Sequence, residues 1–292
     1  MVLTIWVAAW EQVRTQSLSR LIGGIMPFVT LYLCVYGTTT VAVGFQDPSV
    51  PLLLLIPMGF YAAQHALKVK DRRWLLAALV VLLMLMRART PMAIGFVLLA
   101  LAEIQRSPRL AWLKVVGIGG SALAVFALLI AYYEPFRVAF FEGDNAVQLG
   151  GLALNTSGRA YLWSTVWASF LESPWYGQGL GASAQLIRAI GSQAEHPHND
   201  YLRLMHDMGL IGLGWWILFA LSSYGLVRLG LRQALHPDEA VWHVTARNAL
   251  LVISLSMITD NAVVYAFVMY PLGVLLGISA GFTRSTSRRG TP

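Results

Sequence analysis

Residues 196–207 hold three histidines (His196, His198, His206), two aspartates (Asp200, Asp207) and Arg203, and the chain then runs into the apolar stretch Leu213–Val227. Ionisable groups at the mouth of an apolar helix cost free energy unless they are paired, hydrated or used. A neutral imidazole is the side chain best suited to take a proton near pH 7, so His198 is the expected general base. Asn199 can cap a helix opening at Asp200 and fix the approach of the ring. His196 shares the pattern, but Pro197 lies between the two histidines and they need not point the same way. The spacing H-x-H-N-D is not a closed zinc pattern and lacks a neighbouring cysteine or glutamate, so neither metal nor cofactor is expected. His206 reads as a packing or interfacial residue, and His65, His236 and His243 as structural.

A second chemistry belongs to arginine. Guanidinium groups stay charged and grip phosphate oxygens in a fixed fork. Arg159 at a helix start and Arg89 at a tight hairpin could clamp a diphosphate; the alternative for Arg159 is a lipid-headgroup contact, and Arg87 either joins them or snorkels to the interface.

These residues need a scaffold, and composition says which. The chain is 57% apolar and only 12% charged, against about 25% charged in soluble domains. Several apolar runs exceed the length of a buried core helix, and no alternating strands suggest a barrel. The expectation is an all-α polytopic membrane protein of about eight transmembrane helices, near 21–44, 51–67, 74–86, 91–105, 110–132, 209–229, 244–260 and 262–283. The third and fourth are short, about 20–24 Å each, and a single helix across 74–105 is the rival. Charge parity separates the two. With two spans, segments 14–20, 68–73, 106–114, 228–247 and 284–289 share one side and carry fifteen of the 21 basic residues, as the positive-inside rule requires of a cytoplasmic face. The +7 net charge is thus loop asymmetry, and no nucleic acid is expected as a partner. The lone Cys34 cannot form an internal disulfide, and Met1–Trp10 does not read as a cleavable signal peptide.

The organisation that follows is N-terminal membrane helices (1–133), a long outer loop with interfacial helices (134–208), C-terminal membrane helices (209–283) and a polar cytoplasmic tail (284–292). Within the loop, Thr156 or Ser157 can cap a helix beginning near Arg159, with Leu162, Val166 and Phe170 on one stripe and Trp163 and Trp167 on another. Pro174 ends it. With Trp175, these indoles suggest a helix lying in the lipid bilayer interface. Gly177-Gln178-Gly179-Leu180-Gly181 has no strand before it and reads as a flexible turn, not a dinucleotide fingerprint. Asp260-Asn261 falls at a hairpin on the same outer side as the histidine cluster.

Ser157-Gly158-Arg159, followed by an aromatic-rich helix and Glu172–Gly179, resembles the SGR…W…HPxxGxGxG segment of the O-antigen ligase and polymerase family. His198-Asn199-Asp200-Tyr201-Leu202, followed by Met208–Gly212, resembles its HNxYL…GxxG segment, and Met86–Thr90 its arginine-bearing helix end. The resemblance implies a GT-C-like glycosyltransferase of the bacterial inner membrane, its long loop and active site periplasmic and both termini cytoplasmic. The donor would be a glycan on undecaprenyl diphosphate, and the acceptor lipid A–core in a ligase or another glycan in a polymerase. Arg89 and Arg159 would hold the departing diphosphate, and His198 would activate the acceptor hydroxyl, with inversion and without metal. Members of the family carry more spans ahead of the arginine-bearing helix than the two seen here, so the chain reads as an incomplete or trimmed member. Two other readings stand beside the enzyme: a lipid-linked glycan transporter, and a non-catalytic fragment that binds lipid-linked glycan. A transporter should place polar groups on both approaches to mid-membrane, whereas here they gather at the outer mouth.

Overall fold

The computed structural model describes residues 12–43, 49–141, 146–149, 152–155, 158–192 and 194–289. In chain order the helices are α1 (Gln12–Ala42), α2 (Ser49–Ala66), α3 (Arg73–Leu85), α4 (Arg89–Arg106), α5 (Ala111–Tyr132), α6 (Glu134–Phe141), α7 (Arg159–Phe170), α8 (Ala182–Ala189), α9 (Asp200–Gln233), α10 (Pro237–Ser256) and α11 (Ala266–Arg289). One small antiparallel hairpin, β1 (Ala146–Leu149) and β2 (Leu152–Asn155), interrupts them, pairing Ala146 with Asn155 and Leu149 with Leu152.

Among the described residues five helices are long and apolar enough to cross a membrane: Thr15–Thr39 of α1, α2, Pro108–Tyr132, α9 and Ala266–Arg284 of α11. The chain is a multi-pass membrane protein. Fewer helices meet that standard than the eight expected, because α3 has only 13 residues and the α4 and α10 stretches are too polar. α10 begins seven residues before the expected span, with Pro237 at its first position and Asp238 and Glu239 in its first turn, where a missing N–H and negative charge are both favourable. α11 runs on through the basic tail to Arg289.

The chain forms two compact units. The first comprises the chain up to Ile118, Ala220–Ser256 and the part from Val263 onward. At its centre α2 is apolar on all sides and almost entirely buried, the pattern of a helix enclosed by others; it packs on α1, α4 and α10. Asn248 of α10 donates to the Gly59 carbonyl (2.9 Å), and the Thr30 and Tyr61 hydroxyls meet at 3.0 Å. Two helices, not one, cover 74–105: the chain breaks at Arg87, whose φ of 56° lies in the left-handed region, and Pro91 falls in the first turn of α4. Gly95 lets α4 settle against Leu83 and Val80 of α3.

At the other end of this hairpin the buried Glu103 accepts from Arg73 Nε (2.6 Å) and Lys114 Nζ and contacts His65 Nε2 (3.0 Å). The two basic segments 68–73 and 106–114 therefore meet at one carboxylate, as two antiparallel helices require. His65, buried and paired, is structural as expected.

The second unit comprises Gly119–Phe219 and Met257–Ala262. Phe126 of α5 and Phe136 and Phe140 of α6 form an aromatic cluster, with centroids 4.6–5.5 Å apart. Leu162 and Val166 of α7, Ile187 of α8 and Leu202 of α9 make a small core, so the stripe expected for α7 is its buried face. α7 ends at Phe170, four residues before Pro174. Its start follows Gly158 at φ 77°, with no side-chain cap; Thr156 and Ser157 lie outside the described residues.

The glycine-rich segment is not a flexible turn. Gln178 N–H donates to His206 O (2.8 Å), Gly179 N–H to Asp207 O (3.0 Å) and Leu210 N–H to Pro174 O (2.8 Å). Two backbones lie against each other, with Gly177 at φ 74° and Gly209 at φ 67°. A Cβ on Gly177 would meet the Asp207 carbonyl carbon at 2.5 Å, and one on Gly209 would fall on the Trp175 carbonyl. Asp207 completes the clamp, accepting from Ser183 N–H (2.8 Å) and Gly181 N–H (3.1 Å) at the start of α8.

Two stability predictions follow from these contacts. Glu103→Ala leaves Arg73 and Lys114 without their acceptor and should lower stability by about 2–4 kcal/mol, somewhat less than loss of a fully buried partner because Arg73 is half exposed. Gly209→Ala adds left-handed strain to a backbone clash and should cost about 2–4 kcal/mol. Thermal unfolding in detergent reads both, and an unchanged midpoint in either would contradict the assigned contact.

Candidate active site

The second unit assembles His198, Arg159 and Asp260. Arg159 is the first residue of α7. Burial pushes its pKa down, and the Asp260 carboxylate pulls it back up. The guanidinium remains charged, so it is a partly desolvated cation with Asp260 as its countercharge.

His198 sits in the loop ahead of α9 at φ 53°, a region that residues other than glycine rarely occupy. Three hydrogen bonds around the loop hold that conformation. Trp163 Nε1 donates to the Pro197 carbonyl (2.7 Å), Asn199 Oδ1 accepts from Leu202 N–H (2.9 Å) as the helix cap, and Asp200 N–H donates to the Met257 carbonyl (2.9 Å). The last of these brings the turn after α10 alongside. There Asp260 Oδ1 accepts from Asn261 N–H (2.8 Å) and lies 3.8 Å from His198 Nδ1, while Asn261 Nδ2 stands 3.2 Å from the same nitrogen. The ring is 34% exposed, oriented along one edge and accessible elsewhere.

The rest of the histidine cluster is used internally. Asp200 is buried and its Oδ1 accepts from Arg203 (3.2 Å). Its negative charge in the first turn of α9 also suits the helix dipole. Arg203 lies 3.7 Å from Asp207 as well. His206 is buried between Asp207 Oδ1 (3.0 Å) and Ser169 Oγ (3.2 Å), a packing residue as expected. Burial lowers the pKa of His196, helped by the Arg203 charge, and its Nδ1 is buried without a hydrogen bond. His196 is a neutral ring beside the loop.

Arg87 and Arg89 belong to the first unit. Arg89 opens α4, and both side chains are half-buried. Sequence reasoning located the Asp260-Asn261 hairpin but gave it no part in the site. The signal was present: an adjacent acid and amide between the apolar stretches Leu250–Ile253 and Ala262–Val264. Trp163 was read only as an interfacial residue, although its indole N–H holds the catalytic loop candidate in place.

Among the described residues no three histidine, cysteine, aspartate or glutamate side chains gather where they could hold a metal ion. The arrangement offers an oriented imidazole, a carboxylate beside its Nδ1 and a partly desolvated guanidinium that feels the charge of the same carboxylate. Such a set can remove a proton and receive negative charge. No curated protein matches the chain. The family model described as O-antigen ligase matches residues 52–217, more than half of the sequence and inclusive of Arg87, Arg89, Arg159 and His198. This multi-pass membrane protein belongs to the O-antigen ligase family.

Proposed function

We propose that the protein is a metal-independent, inverting membrane glycosyltransferase of the O-antigen ligase type. It moves a glycan from undecaprenyl diphosphate to a hydroxyl of an acceptor, lipid A–core in a ligase. His198 is the general base. A carboxylate beside Nδ1 favours the proton there and leaves the Nε2 lone pair free. Turning the Asn261 amide over would let its Oδ1, which otherwise has no partner, accept from Nδ1–H. Nε2 takes the acceptor hydroxyl proton as the oxygen forms its bond to the anomeric carbon. The bond from that carbon to the diphosphate oxygen breaks, and the diphosphate leaves with the electron pair. Asp260 stabilises the imidazolium that forms. Arg159 receives the developing charge on the diphosphate, in surroundings where its interaction is screened less than in water.

The observation that supports this most directly is Asp260, which lies 3.8 Å from His198 Nδ1 and whose charge also acts on Arg159. For Arg89 and Arg87, of the first unit, the reading remains the one the resemblance implies, contact with donor phosphate oxygens, with Arg89 preferred. The bias of basic residues supports a periplasmic site in a bacterial inner membrane with cytoplasmic termini.

In a reconstituted transfer assay His198→Ala should lower kcat by about 10²–10⁴-fold, and transfer at the wild-type rate would remove the assignment. Arg159→Lys keeps the charge and loses the fork, and should lower kcat/KM for the lipid-linked donor by about 10- to 100-fold. An unchanged value would mean that Arg159 does not contact the diphosphate.

A further inference from the structure

One residue beyond His198 the surface opens into a shallow cavity of about 420 Å³, lined by Trp163, Trp167, Tyr201 and Met205, with Asn199 and Ser164 as its polar members. The volume lies within the range of about 300–1,000 Å³ of small-molecule sites. No charged side chain lines it, so a diphosphate would find no countercharge there. A neutral ligand is what fits.

The lining narrows the class further. The face of an aromatic ring carries negative potential that attracts the polarised C–H groups of a sugar ring. The Trp163 indole N–H is committed to the Pro197 carbonyl, so this ring is held in place and presents carbon. Trp167 is 47% exposed and packs on Phe170 at 5.2 Å, which leaves much of its surface to a ligand. Asn199 uses Oδ1 for the helix cap and keeps amide N–H groups to donate. Ser164 Oγ donates to Tyr161 O (2.8 Å) and keeps lone pairs to accept. Aromatic surface with a sparse rim of donors and acceptors matches a pyranose, which is apolar across its C–H face and polar around its edge.

We propose that this cavity is the acceptor-sugar subsite: a neutral pyranose of the acceptor glycan lies against Trp167 and Trp163 and presents its hydroxyl to His198. The inference rests on His198 being the base, because the ring that carries the attacking hydroxyl must then lie beside it. Trp163 and Asn199 serve both features, since each braces the His198 loop and lines the cavity.

The test uses the full chain in detergent or nanodiscs, with delipidated core oligosaccharide as acceptor and radiolabelled oligosaccharide for binding. Trp167→Ala should raise the acceptor KM about tenfold and leave the donor KM unchanged, and Trp167→Phe should recover most of the loss. Trp175→Ala, which removes a 63% exposed indole outside the cavity, should change neither. His198→Ala should bind the oligosaccharide as the wild type does while losing transfer. An unchanged acceptor KM in Trp167→Ala would overturn the subsite, as would an equal rise in Trp175→Ala, which marks a general aromatic belt at the bilayer surface. If His198→Ala transfers normally while Trp167→Ala still weakens oligosaccharide binding, the base assignment fails and the cavity stands as a sugar-binding site that does not serve His198.

Discussion

Charge in so apolar a chain has to find its partner within the chain or in a ligand, and this constraint sorts the ionisable residues. Glu103 shows the closed case. It is buried, shared by several basic side chains, and ties α4 to α2, α3 and α5. Asp260 shows the open case. It lies beside an imidazole and its charge acts on a guanidinium, and the imidazole remains one-third exposed. A carboxylate that closes on its partners builds structure, whereas one that leaves them reachable can serve chemistry.

The same sorting runs through residues 196–207. Asp200, Arg203, His206 and Asp207 hold the start of α9, the start of α8 and the glycine-lined backbone contact. His198 alone combines an unusual backbone conformation, an acidic neighbour and an open edge. Backbone strain of this kind persists where surrounding contacts over-determine it. Here those contacts are the Trp163 bond to Pro197 and the Asn199 cap.

Membership of the O-antigen ligase family gives membrane glycan transfer as the general activity, and the second unit supplies a chemically sensible way to perform it. In the proposed mechanism, proton removal and charge acceptance fall to residues from α7, the loop before α9 and the turn after α10. An uncharged aromatic cavity opens beside Asn199, the residue that follows His198. Separating a polar, charged region from a neutral, aromatic one suits the proposed reaction of a diphosphate-linked donor with a sugar hydroxyl.

Much of the helix content was legible from the sequence, because apolar runs and their flanking charges are local properties. So were the break between α3 and α4, through charge parity, and the Asn199 cap, through residue type and position. The named candidates His198 and Arg159 could also be found from their chemistry and the resemblance. Their common partner could not. Asp260 lies about sixty residues from His198 and a hundred from Arg159 in the chain, and nothing local ties a carboxylate to partners that distant. Gly177 and Gly209 were equally silent, because a glycine in a loop looks flexible until a second backbone is packed against it. Composition, periodicity and residue chemistry mark the segments apolar enough to enter a membrane and the groups able to react. Which ionisable groups satisfy one another, and which stays open to substrate, is set only when packing brings remote segments within hydrogen-bond distance.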